Sequence, residues 1–513
     1  MVDRELLIAA GRRQFTALLE LTAGKEACPR THSGRVRPGD TFVILPPVKN
    51  GKRSGLDFAA EAVRAGAARL VCTPEQAEEI ASLPPACGES PEIILVEDSR
   101  EALGELARAY YDSADPRRLL LGITGTNGKT TSAYLLEALF SGLGRKTGVL
   151  GTINYRWPGV SRPSPLTTPD CLELHEMFGE MRRAGVEAAI MEASSHALEQ
   201  RRTAGLDFQA ALFTNLTQDH LDYHLDMENY YQAKASLFRR ISGGNKPGPQ
   251  TAPLRAVNAD DAGGRRLLVE CSGLPGLNIA YGLTRRLVPG CEFLHGAILS
   301  RGSEGLLLRQ NFRELEWELR SPLLGDFNAV NLLGVQALAL GLGMDVENLK
   351  LLEKFGGVPG RLERIANDRG VHVFVDYAHT PDALENVLRA LRSAGFKRIV
   401  TVFGCGGNRD KSKRPLMGRA VCAHSDVAVL TSDNPRLEDP LEIMRDVLPG
   451  MQGRDFHLAE DRREATALGV KLLRRGDALL VAGKGHEDYQ IVGETRKYYS
   501  DQAVLRELLG AKA

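Results

Sequence analysis

"RLLLGITGTNGKTTSAYLLEALF", residues 118–140, is the stretch that decides the predicted fold. An apolar run ends in a glycine-rich segment, and apolar residues at helical spacing follow it. A phosphate-binding loop needs this order of strand, turn and helix, because glycines let backbone N–H groups approach phosphate at a helix N-terminus. The alternative is an ordinary glycine-rich turn between a strand and a helix.

The segment departs from the strict pattern G-x-x-x-x-G-K-[ST]. Ile123 stands where the first glycine should be, with Gly122 and Gly125 on either side. Lys129 can still reach the β- and γ-phosphates of a nucleotide, and the Thr130 hydroxyl can bind Mg²⁺. We therefore predict a nucleotide site made by Gly125, Thr126, Asn127, Gly128, Lys129, Thr130 and Thr131.

Length and composition are those of a large soluble globular protein. A chain of 513 residues exceeds one hydrophobic core and favours about three domains. Lys+Arg and Asp+Glu both total 65, so no net charge attracts nucleic acid or an acidic membrane. The eight cysteines form no CxxC pair, which is typical of reduced thiols in a cytoplasmic enzyme. No stretch approaches the roughly 18 apolar residues of a membrane span.

Two candidate boundaries divide the chain. "DSADPRR" (112–118) is a polar linker that contains proline, and "KFGGVPGR" (354–361) is rich in glycine. We predict an α/β protein with an N-terminal α/β domain at 1–115. A central P-loop-type domain with a parallel sheet is predicted at 116–356, and a Rossmann-like domain at 357–513.

Polar residues follow two further apolar strands of the central region. Glu192 ends "EAAIMEA", where it could hold a metal beside the phosphate loop; the alternative is a surface turn that caps a helix through Ser194 or Ser195. His220 follows "AALFTNL" and is a possible second ligand for Mg²⁺. Zinc is the competing metal, but the chain has neither HExxH nor clustered cysteines.

In the C-terminal region, four apolar strands end in polar or glycine-rich turns: "VHVFVDYAHT", "RIVTVFGCGG", "VAVLTSDNP" and "ALLVAGKGHE". Ligands of parallel α/β sheets bind outside the carboxyl ends of the strands. Residues 376–382, 404–414, 432–436 and 483–487 are therefore predicted to line one crevice. Taken singly, each is more often a solvated surface loop.

Ordered motifs over residues 122–490 carry a family resemblance. They are "GITGTNGKTT", "TTPD", "MEASSHALEQRR", "TNLTQDHLDYH", "YYQAKASLF", "GDFNAVN", "VPGRLE", "DYAHTPDAL", "GCGGNRDKSKRPLMG", "DNPR" and "GKGHEDYQ". Together they resemble the Mur ligases of peptidoglycan synthesis, and among them the enzymes that add the third residue of the peptide. The phosphate loop resembles the variant loop of Mur and folylpolyglutamate ligases.

The resemblance implies an N-terminal domain for the UDP end of the substrate, a central ATPase domain and a C-terminal domain that closes over the nucleotide. It implies a cytoplasmic, monomeric enzyme that uses ATP and Mg²⁺ and binds no nucleic acid. The implied substrates are UDP-N-acetylmuramoyl-L-alanyl-D-glutamate and meso-diaminopimelate, joined through an acyl phosphate. Such catalysis depends mainly on positioning and charge neutralisation.

Site residues follow from the resemblance motif by motif. Lys129, Lys234 and His220 are the implied catalytic residues, and Thr130, Glu192, His220 and Lys234 the implied metal ligands. ATP would also contact Asn328, Asn331, Arg361 and Asp376. The UDP substrate would contact Ser33, Thr167, Thr168, Ser194, Gln200 and Arg202.

Lys234 in "YYQAKASLF" matches a lysine that is carbamylated in this family. Carbamylation turns an ammonium into a carboxylate-like oxygen ligand, which a Mg²⁺ site prefers. Without the resemblance, an exposed helix lysine is the favoured interpretation.

The amino-acid site is predicted around "DNPR". The far end of diaminopimelate carries a carboxylate, and Arg436 can pair with it in a bidentate manner, while Glu487 takes the far ammonium. The predicted pocket is Arg409, Asp433, Asn434, Pro435, Arg436, Gly483 and Glu487. The alternative is a plain turn with Arg436 in solvent.

The N-terminal region departs from the family pattern. Relatives usually carry Asp-Ser-Arg before Val-x-Pro-Gly, whereas His32, Ser33 and Gly34 stand here. "KRSGLDF" replaces the usual Asp-Gly-His-x-Phe. The family arginine, whose place Gly34 takes, could be replaced by Arg35, Lys52 or Arg53.

Two other functions stay open. One is a folylpolyglutamate synthetase, against which "DNPR" and "SSHALEQRR" argue, and the other is a P-loop switch or transport ATPase.

Overall fold

A computed structural model describes residues 4–49, 51, 53–80, 90–241, 252–452 and 455–510. The chain folds into two compact units. The first comprises Met1–Leu294 and Gly334–Asn348, and the second His295–Leu333 and Leu349–Ala513. The division into three domains, with its two boundaries, stays a prediction. Lys52 and Cys87 lie outside the described residues.

The first unit begins with a small parallel sheet packed against helices. Its elements are α1 (Arg4–Ala23), β1 (Pro29–Arg30), β2 (Thr41–Val43), α2 (Ala59–Arg64), β3 (Arg69–Cys72), α3 (Pro74–Ile80), β4 (Glu92–Leu95) and α4 (Ser99–Tyr111). The strands lie in the order β1-β2-β3-β4. Val43, Val71 and Ile94 pack against Leu103 and Leu106 of α4, so one face of the sheet is buried.

A larger sheet forms the rest of the first unit. Its elements are β5 (Leu119–Thr124), α5 (Lys129–Gly142), β6 (Thr147–Leu150), β7 (Asn154–Trp157), β8 (Val160–Pro163), α6 (Cys171–Arg183), β9 (Ala188–Glu192), α7 (Ser195–Glu199), β10 (Ala210–Phe213), α8 (Leu221–His224), α9 (Met227–Arg239), β11 (Leu254–Asn258), α10 (Ala262–Cys271) and β12 (Leu277–Gly282). The strand order is β12-β11-β10-β5-β9-β6-β7-β8, and the first six strands are parallel.

The register of this sheet sets the position of the site. Ile123 pairs with Glu192, and Thr124 pairs with Phe213. These three strands therefore end at one edge, where the following loops meet. The strands are buried and apolar because helices cover both faces of a parallel sheet.

Three elements continue the chain across the unit boundaries: β13 (Glu292–Gly302), α11 (Asp326–Gly341) and α12 (Val346–Leu349). The second unit adds β14 (Gly305–Phe312), β15 (Leu315–Ser321), β16 (Glu363–Ile365), β17 (His372–Asp376), α13 (Pro381–Ser393), β18 (Ile399–Cys405), α14 (Lys413–His424), β19 (Val427–Ser432), α15 (Pro440–Val447), β20 (Phe456–Leu458), α16 (Arg462–Lys471), β21 (Ala478–Ala482), β22 (Tyr489–Val492), β23 (Thr495–Tyr498) and α17 (Asp501–Leu509).

The main sheet of the second unit has the order β16-β17-β21-β18-β19-β20. All its strands are parallel except the edge strand β16. The four strands predicted from the sequence are β17, β18, β19 and β21, which confirms the α/β fold of this region. The antiparallel hairpin β22–β23 was not predicted.

Two further predictions can be compared with the described residues. Seven cysteines lie there, and all seven are free thiols. No helix in the described part of the chain has the length and apolar character needed to cross a membrane.

Candidate active site

The predicted phosphate loop lies between β5 and α5. Gly125 has φ +150° and Gly128 has φ +86°, both in the region that favours glycine. A Cβ on Gly125 would lie 1.8 Å from the Thr214 hydroxyl oxygen, so a side chain does not fit there. Gly128 is the N-cap of α5 and brings no capping side chain, which leaves the helix N-terminus available to an anion. Thr131 is buried in the first turn of the helix.

The segment after β10 braces this loop. The Thr126 and Asn127 N–H groups donate to the carbonyl and side-chain oxygens of Asn215, each at 2.9 Å. The Thr214 hydroxyl donates to the Asn127 carbonyl at 2.6 Å. The motifs at 125–130 and 214–224 therefore form one structure.

Lys129 and Lys234 both lie at the loop. The Lys129 ammonium donates to the Gly125 and Thr126 carbonyls at 2.8 and 2.9 Å, and Lys234 reaches the Gly125 carbonyl at 2.8 Å. Lys234 is only 1% exposed, so the alternative of an exposed helix lysine is wrong. Burial, together with the charge of Lys129, lowers the pKa of Lys234 well below its ordinary value.

Glu192 lies at the same edge of the sheet. Its carboxylate accepts hydrogen bonds from the Thr130 hydroxyl at 3.0 Å and from the Thr152 N–H and hydroxyl at 3.1 and 2.9 Å. A Cβ on Gly151 would lie 2.3 Å from this carboxylate, so a larger residue there would displace the Glu192 side chain. The predicted pair of Thr130 and Glu192 is therefore brought together, and Thr152 is a neighbour that was not predicted.

His220 occupies a different kind of position. It adopts a left-handed backbone (φ +54°) before α8, and its half-exposed ring lies 4.9 Å from the ring of His196. Desolvation, with the charges of Lys129 and Lys234, lowers its pKa. Within the described ranges, no three His, Cys, Asp or Glu side chains form a metal-binding group.

The predicted UDP-substrate residues of the central sheet form one network. The Thr168 hydroxyl donates to the Glu192 carbonyl at 2.7 Å and accepts from the Ser194 N–H at 3.0 Å. Arg202 donates to the Thr168 carbonyl at 3.1 Å and to the Gln200 side chain at 2.9 Å. Ser194 also caps α7, because its hydroxyl accepts from the Ala197 N–H. The helix cap that the alternative interpretation described is therefore present together with the network.

Thr167 joins this network through Thr152, with 3.1 Å between their hydroxyl oxygens. Ser33 is engaged elsewhere, because its buried hydroxyl donates to Glu61 at 2.9 Å. Arg35 and Arg53, two candidates for the missing family arginine, are exposed. Lys49 was not predicted, and its ammonium donates to the His224 carbonyl at 3.3 Å.

In the second unit, the predicted nucleotide residues are largely buried. Asn328 and Asn331 lie on α11 and hydrogen-bond each other at 3.2 Å. The Asp376 carboxylate accepts from the Leu362 and Ala378 N–H groups at 2.6 and 2.7 Å, and burial raises its pKa. Arg361 lies 4.5 Å from the centre of the Tyr377 ring.

Most predicted amino-acid residues meet at the ends of β19 and β21. The Asn434 side chain donates to Glu487 at 3.0 Å. A Cβ on Gly483 would lie 2.7 Å from the Asp433 carboxylate, so this glycine permits the close approach. Burial, and then Asp433, raises the pKa of Glu487. For Asp433, burial opposes ionisation, but Lys484 and Arg462 hold its pKa below the ordinary range.

Arg436 donates to the Gly407 carbonyl at 2.7 Å, which does not fit the alternative of an arginine free in solvent. Pro435 is buried, and a Cβ on Gly407 would lie 1.9 Å from its carbonyl oxygen, so the 404–414 and 432–436 loops are in direct contact. Arg409 lies on the exposed part of the 404–414 loop.

The parallel sheet, the glycine loop at a helix N-terminus and the adjacent lysine define a nucleotide-binding α/β protein. Family models place it further. Residues 123–339 match the Mur ligase middle domain, and residues 360–485 match the Mur ligase glutamate ligase domain. The chain belongs to the Mur ligase family and is an enzyme of the ligase class.

Individual relatives agree with this placement. A UDP-N-acetylmuramoyl-L-alanyl-D-glutamate--2,6-diaminopimelate ligase from Lawsonia intracellularis is 50% identical over 93% of this chain and 95% of its own. A protein of the same name from Gloeobacter violaceus is 42% identical over 94% and 93% of the two chains. A solved ligase structure of that name has a TM-score of 0.66 at 32% identity and covers 94% of each chain.

Proposed function

We propose that the protein joins meso-2,6-diaminopimelate to the D-glutamate of UDP-N-acetylmuramoyl-L-alanyl-D-glutamate. The reaction would use ATP in the cytoplasm and supply a peptidoglycan precursor, with the enzyme acting as a monomer. The observation that carries the proposal is that one chain of this family holds a phosphate loop and also presents Arg436 and Glu487 on the loops that follow β19 and β21, which the Asn434–Glu487 hydrogen bond joins. Relatives that share nearly the whole chain carry this activity in their names.

The first chemical step would activate the carboxylate. A D-glutamate carboxylate oxygen attacks the γ-phosphorus of ATP, the bond to the β-γ bridging oxygen breaks, and ADP leaves. The backbone N–H groups of the loop and the N-terminus of α5 would hold the phosphates, and Lys129 would turn from the Gly125 and Thr126 carbonyls toward the transferring group. The product is an acyl phosphate, whose phosphate is a good leaving group.

The second step would form the amide. The neutral amine of diaminopimelate attacks the acyl carbon, the C–O bond to phosphate breaks, and the amine loses a proton. Arg436 would hold the far carboxylate of the amino acid, and Glu487 its far ammonium. Because both anchors bind the end remote from the reacting amine, they would orient that amine toward the acyl phosphate.

Thr130, Glu192 and His220, with a carbamate on Lys234, would hold Mg²⁺. The donors fit a hard cation, since Thr130 and Glu192 offer oxygens within 3.0 Å of each other. When bound, Mg²⁺ would neutralise charge on the transferring phosphoryl group.

Lys234 is suited to carbamylation. Its lowered pKa favours the neutral amine, whose lone pair would attack carbon dioxide. An N–C bond would form, one C=O electron pair would move to oxygen, and nitrogen would release a proton. The resulting anion would lie beside the Lys129 ammonium, where a buried positive amine is disfavoured.

An isotope experiment tests the reaction. With ¹⁸O in the D-glutamate carboxylates, one labelled oxygen should appear in the released phosphate, and phosphate release should require both the UDP-peptide and diaminopimelate. Unlabelled phosphate would exclude the acyl phosphate. Phosphate release stimulated by protein or nucleic acid instead of the two substrates would favour a switch or transport ATPase.

A further inference from the structure

The hairpin β22–β23 holds the loop of residues 433–436. The Arg436 N–H donates to the Ile491 carbonyl at 3.0 Å, and the Gly493 N–H donates to the Arg436 carbonyl at 2.7 Å. Gln490 adds a side-chain hydrogen bond to the Asp433 carbonyl at 2.6 Å. Arg436 has φ +54°, a conformation that costs free energy in a non-glycine residue and persists where surrounding bonds impose it. The hairpin supplies two of those bonds.

Asn434 connects the loop with the hairpin and with Glu487. Its side-chain oxygen accepts from the Lys484 ammonium and from the Ile491 N–H, each at 3.0 Å. Its amide nitrogen donates to Glu487 at 3.0 Å. Because two donors meet one end of the amide and a carboxylate meets the other, the orientation of this side chain is set.

Lys484 is the buried cation at the centre of this arrangement. It has no solvent exposure, donates to the Tyr489 carbonyl at 2.7 Å as well as to Asn434, and lies 3.2 Å from the Asp433 carboxylate. Arg462 and Asp501 form a second buried ion pair at 2.7 Å, and the Arg462 guanidinium also donates to the Ala482 carbonyl. This second ion pair joins α16, α17 and β21 without Lys484.

We propose that Lys484 is a positioning residue of the amino-acid site. It fixes the amide orientation of Asn434 and ties the start of the hairpin to the 433–436 loop, so that Glu487 and Arg436 are presented together to the far end of the amino acid. The inference rests on the proposed function, because it assigns Lys484 to the site that Arg436 and Glu487 form. A purely structural role for Lys484 would affect all substrates and the stability alike.

Lys484→Met tests the proposal, and Lys497→Met, at an exposed lysine of the hairpin β22–β23, is the matched control. In Lys484→Met we expect the KM for diaminopimelate to rise about tenfold or more, the effect of losing a charge-assisted buried hydrogen bond. The KM values for ATP and for the UDP-peptide should stay unchanged, as should all three in Lys497→Met. An unchanged KM for diaminopimelate, or an equal rise in all three KM values, would overturn the proposal.

A double-mutant cycle asks whether Lys484 acts through Asn434. In an Asn434→Ala background, Lys484→Met should add little to the KM for diaminopimelate, because its target is already absent. Additive effects would contradict the proposal. If Lys484→Met does not fold, Lys484→Gln takes its place in both measurements, since it keeps one donor for Asn434 and should give a smaller rise of the same selectivity.

Arg436→Ala distinguishes a failure of the Lys484 positioning role from a failure of the proposed amino-acid site. If Arg436→Ala leaves the KM for diaminopimelate unchanged, the proposed site is wrong and the role of Lys484 falls with it. If Arg436→Ala raises that KM and the Lys484 variants do not, only the positioning role is wrong.

Discussion

Lys129 and Lys234 donate to the same acceptor, the Gly125 carbonyl oxygen, at 2.8 Å each. The pKa of Lys234 is lowered first by burial and then by repulsion from the charge of Lys129. A carbamate on Lys234 would turn this repulsion into attraction. The pair thus links the phosphate loop to α9. Substitutions of the two lysines are expected to differ in whether added carboxylic acids restore activity.

Lys234→Ala should nearly abolish ligation, because it removes the group that would complete the Mg²⁺ site. Short carboxylic acids such as formate or acetate should partly restore activity by supplying an oxygen anion to the space left. The measurement is ADP formation with and without added acid. Full activity in the untreated variant would remove Lys234 from the metal site.

Lys129→Ala should lower kcat by at least about 100-fold, since it removes a positive charge facing the transferring phosphoryl group. Carboxylic acids should not rescue this variant, which makes it the matched control for Lys234→Ala. Turnover near that of the wild type at saturating ATP would show that the nucleotide has been placed wrongly.

His175 is expected to make the first unit sensitive to acid. It is buried against Ser113 at 2.7 Å, and burial lowers its pKa from 6.5 to about 4. The unfolded chain therefore binds a proton at a higher pH than the folded one, and stability is lost as the pH falls from 6.5 toward 4. Between pH 7 and pH 5 this residue should account for about 2 kcal/mol of the lost stability.

Hydrogen exchange of the α6 amides measures this effect. His175→Gln should reduce the loss of stability between pH 7 and pH 5, whereas Ser113→Ala removes the same hydrogen bond but should keep the loss. Equal pH dependence in His175→Gln and the wild type would show that His175 does not titrate as stated.

Much of the fold could be predicted because its signals are local. Apolar strands, the glycine loop and the polar residues at strand ends lie in short segments. The sheet registers place Thr124 and Glu192 at the ends of neighbouring strands, as their segments indicated. The contact of Thr152 with Glu192 could not be predicted, because it depends on β6 lying beside β9. The one sequence signal for Thr152 is that it follows an apolar strand, as the other polar site residues do.

Two features were not found from the local pattern, for different reasons. Lys234 was predicted as a metal ligand only through the family resemblance, because its charge by itself favoured an exposed lysine. It lies four residues after buried Tyr230 and four before buried Phe238, so helical spacing also indicated its burial. The hairpin β22–β23 has partly or fully exposed residues throughout, so it lacks the alternation that marks a strand. The hydrogen bonds that this hairpin makes with Asn434 and Arg436 therefore could not be predicted.

The choice of amino acid is the central claim, and Arg436 is the residue on which it depends. Lysine lacks the far carboxylate and would leave the guanidinium desolvated without that partner, costing roughly 2–5 kcal/mol. This corresponds to at least about 30-fold in kcat/KM. Arg436→Ala should therefore remove most of the discrimination, whereas Arg445→Ala, at an exposed arginine of α15, should keep it.

The most direct measurement compares kcat/KM for meso-diaminopimelate and for L-lysine in the wild type, Arg436→Ala and Arg445→Ala. The account predicts a strong preference for diaminopimelate in the wild type and in Arg445→Ala, and its collapse in Arg436→Ala through loss of diaminopimelate use. Equal use of both amino acids by the wild type, or an unchanged preference in Arg436→Ala, would contradict it.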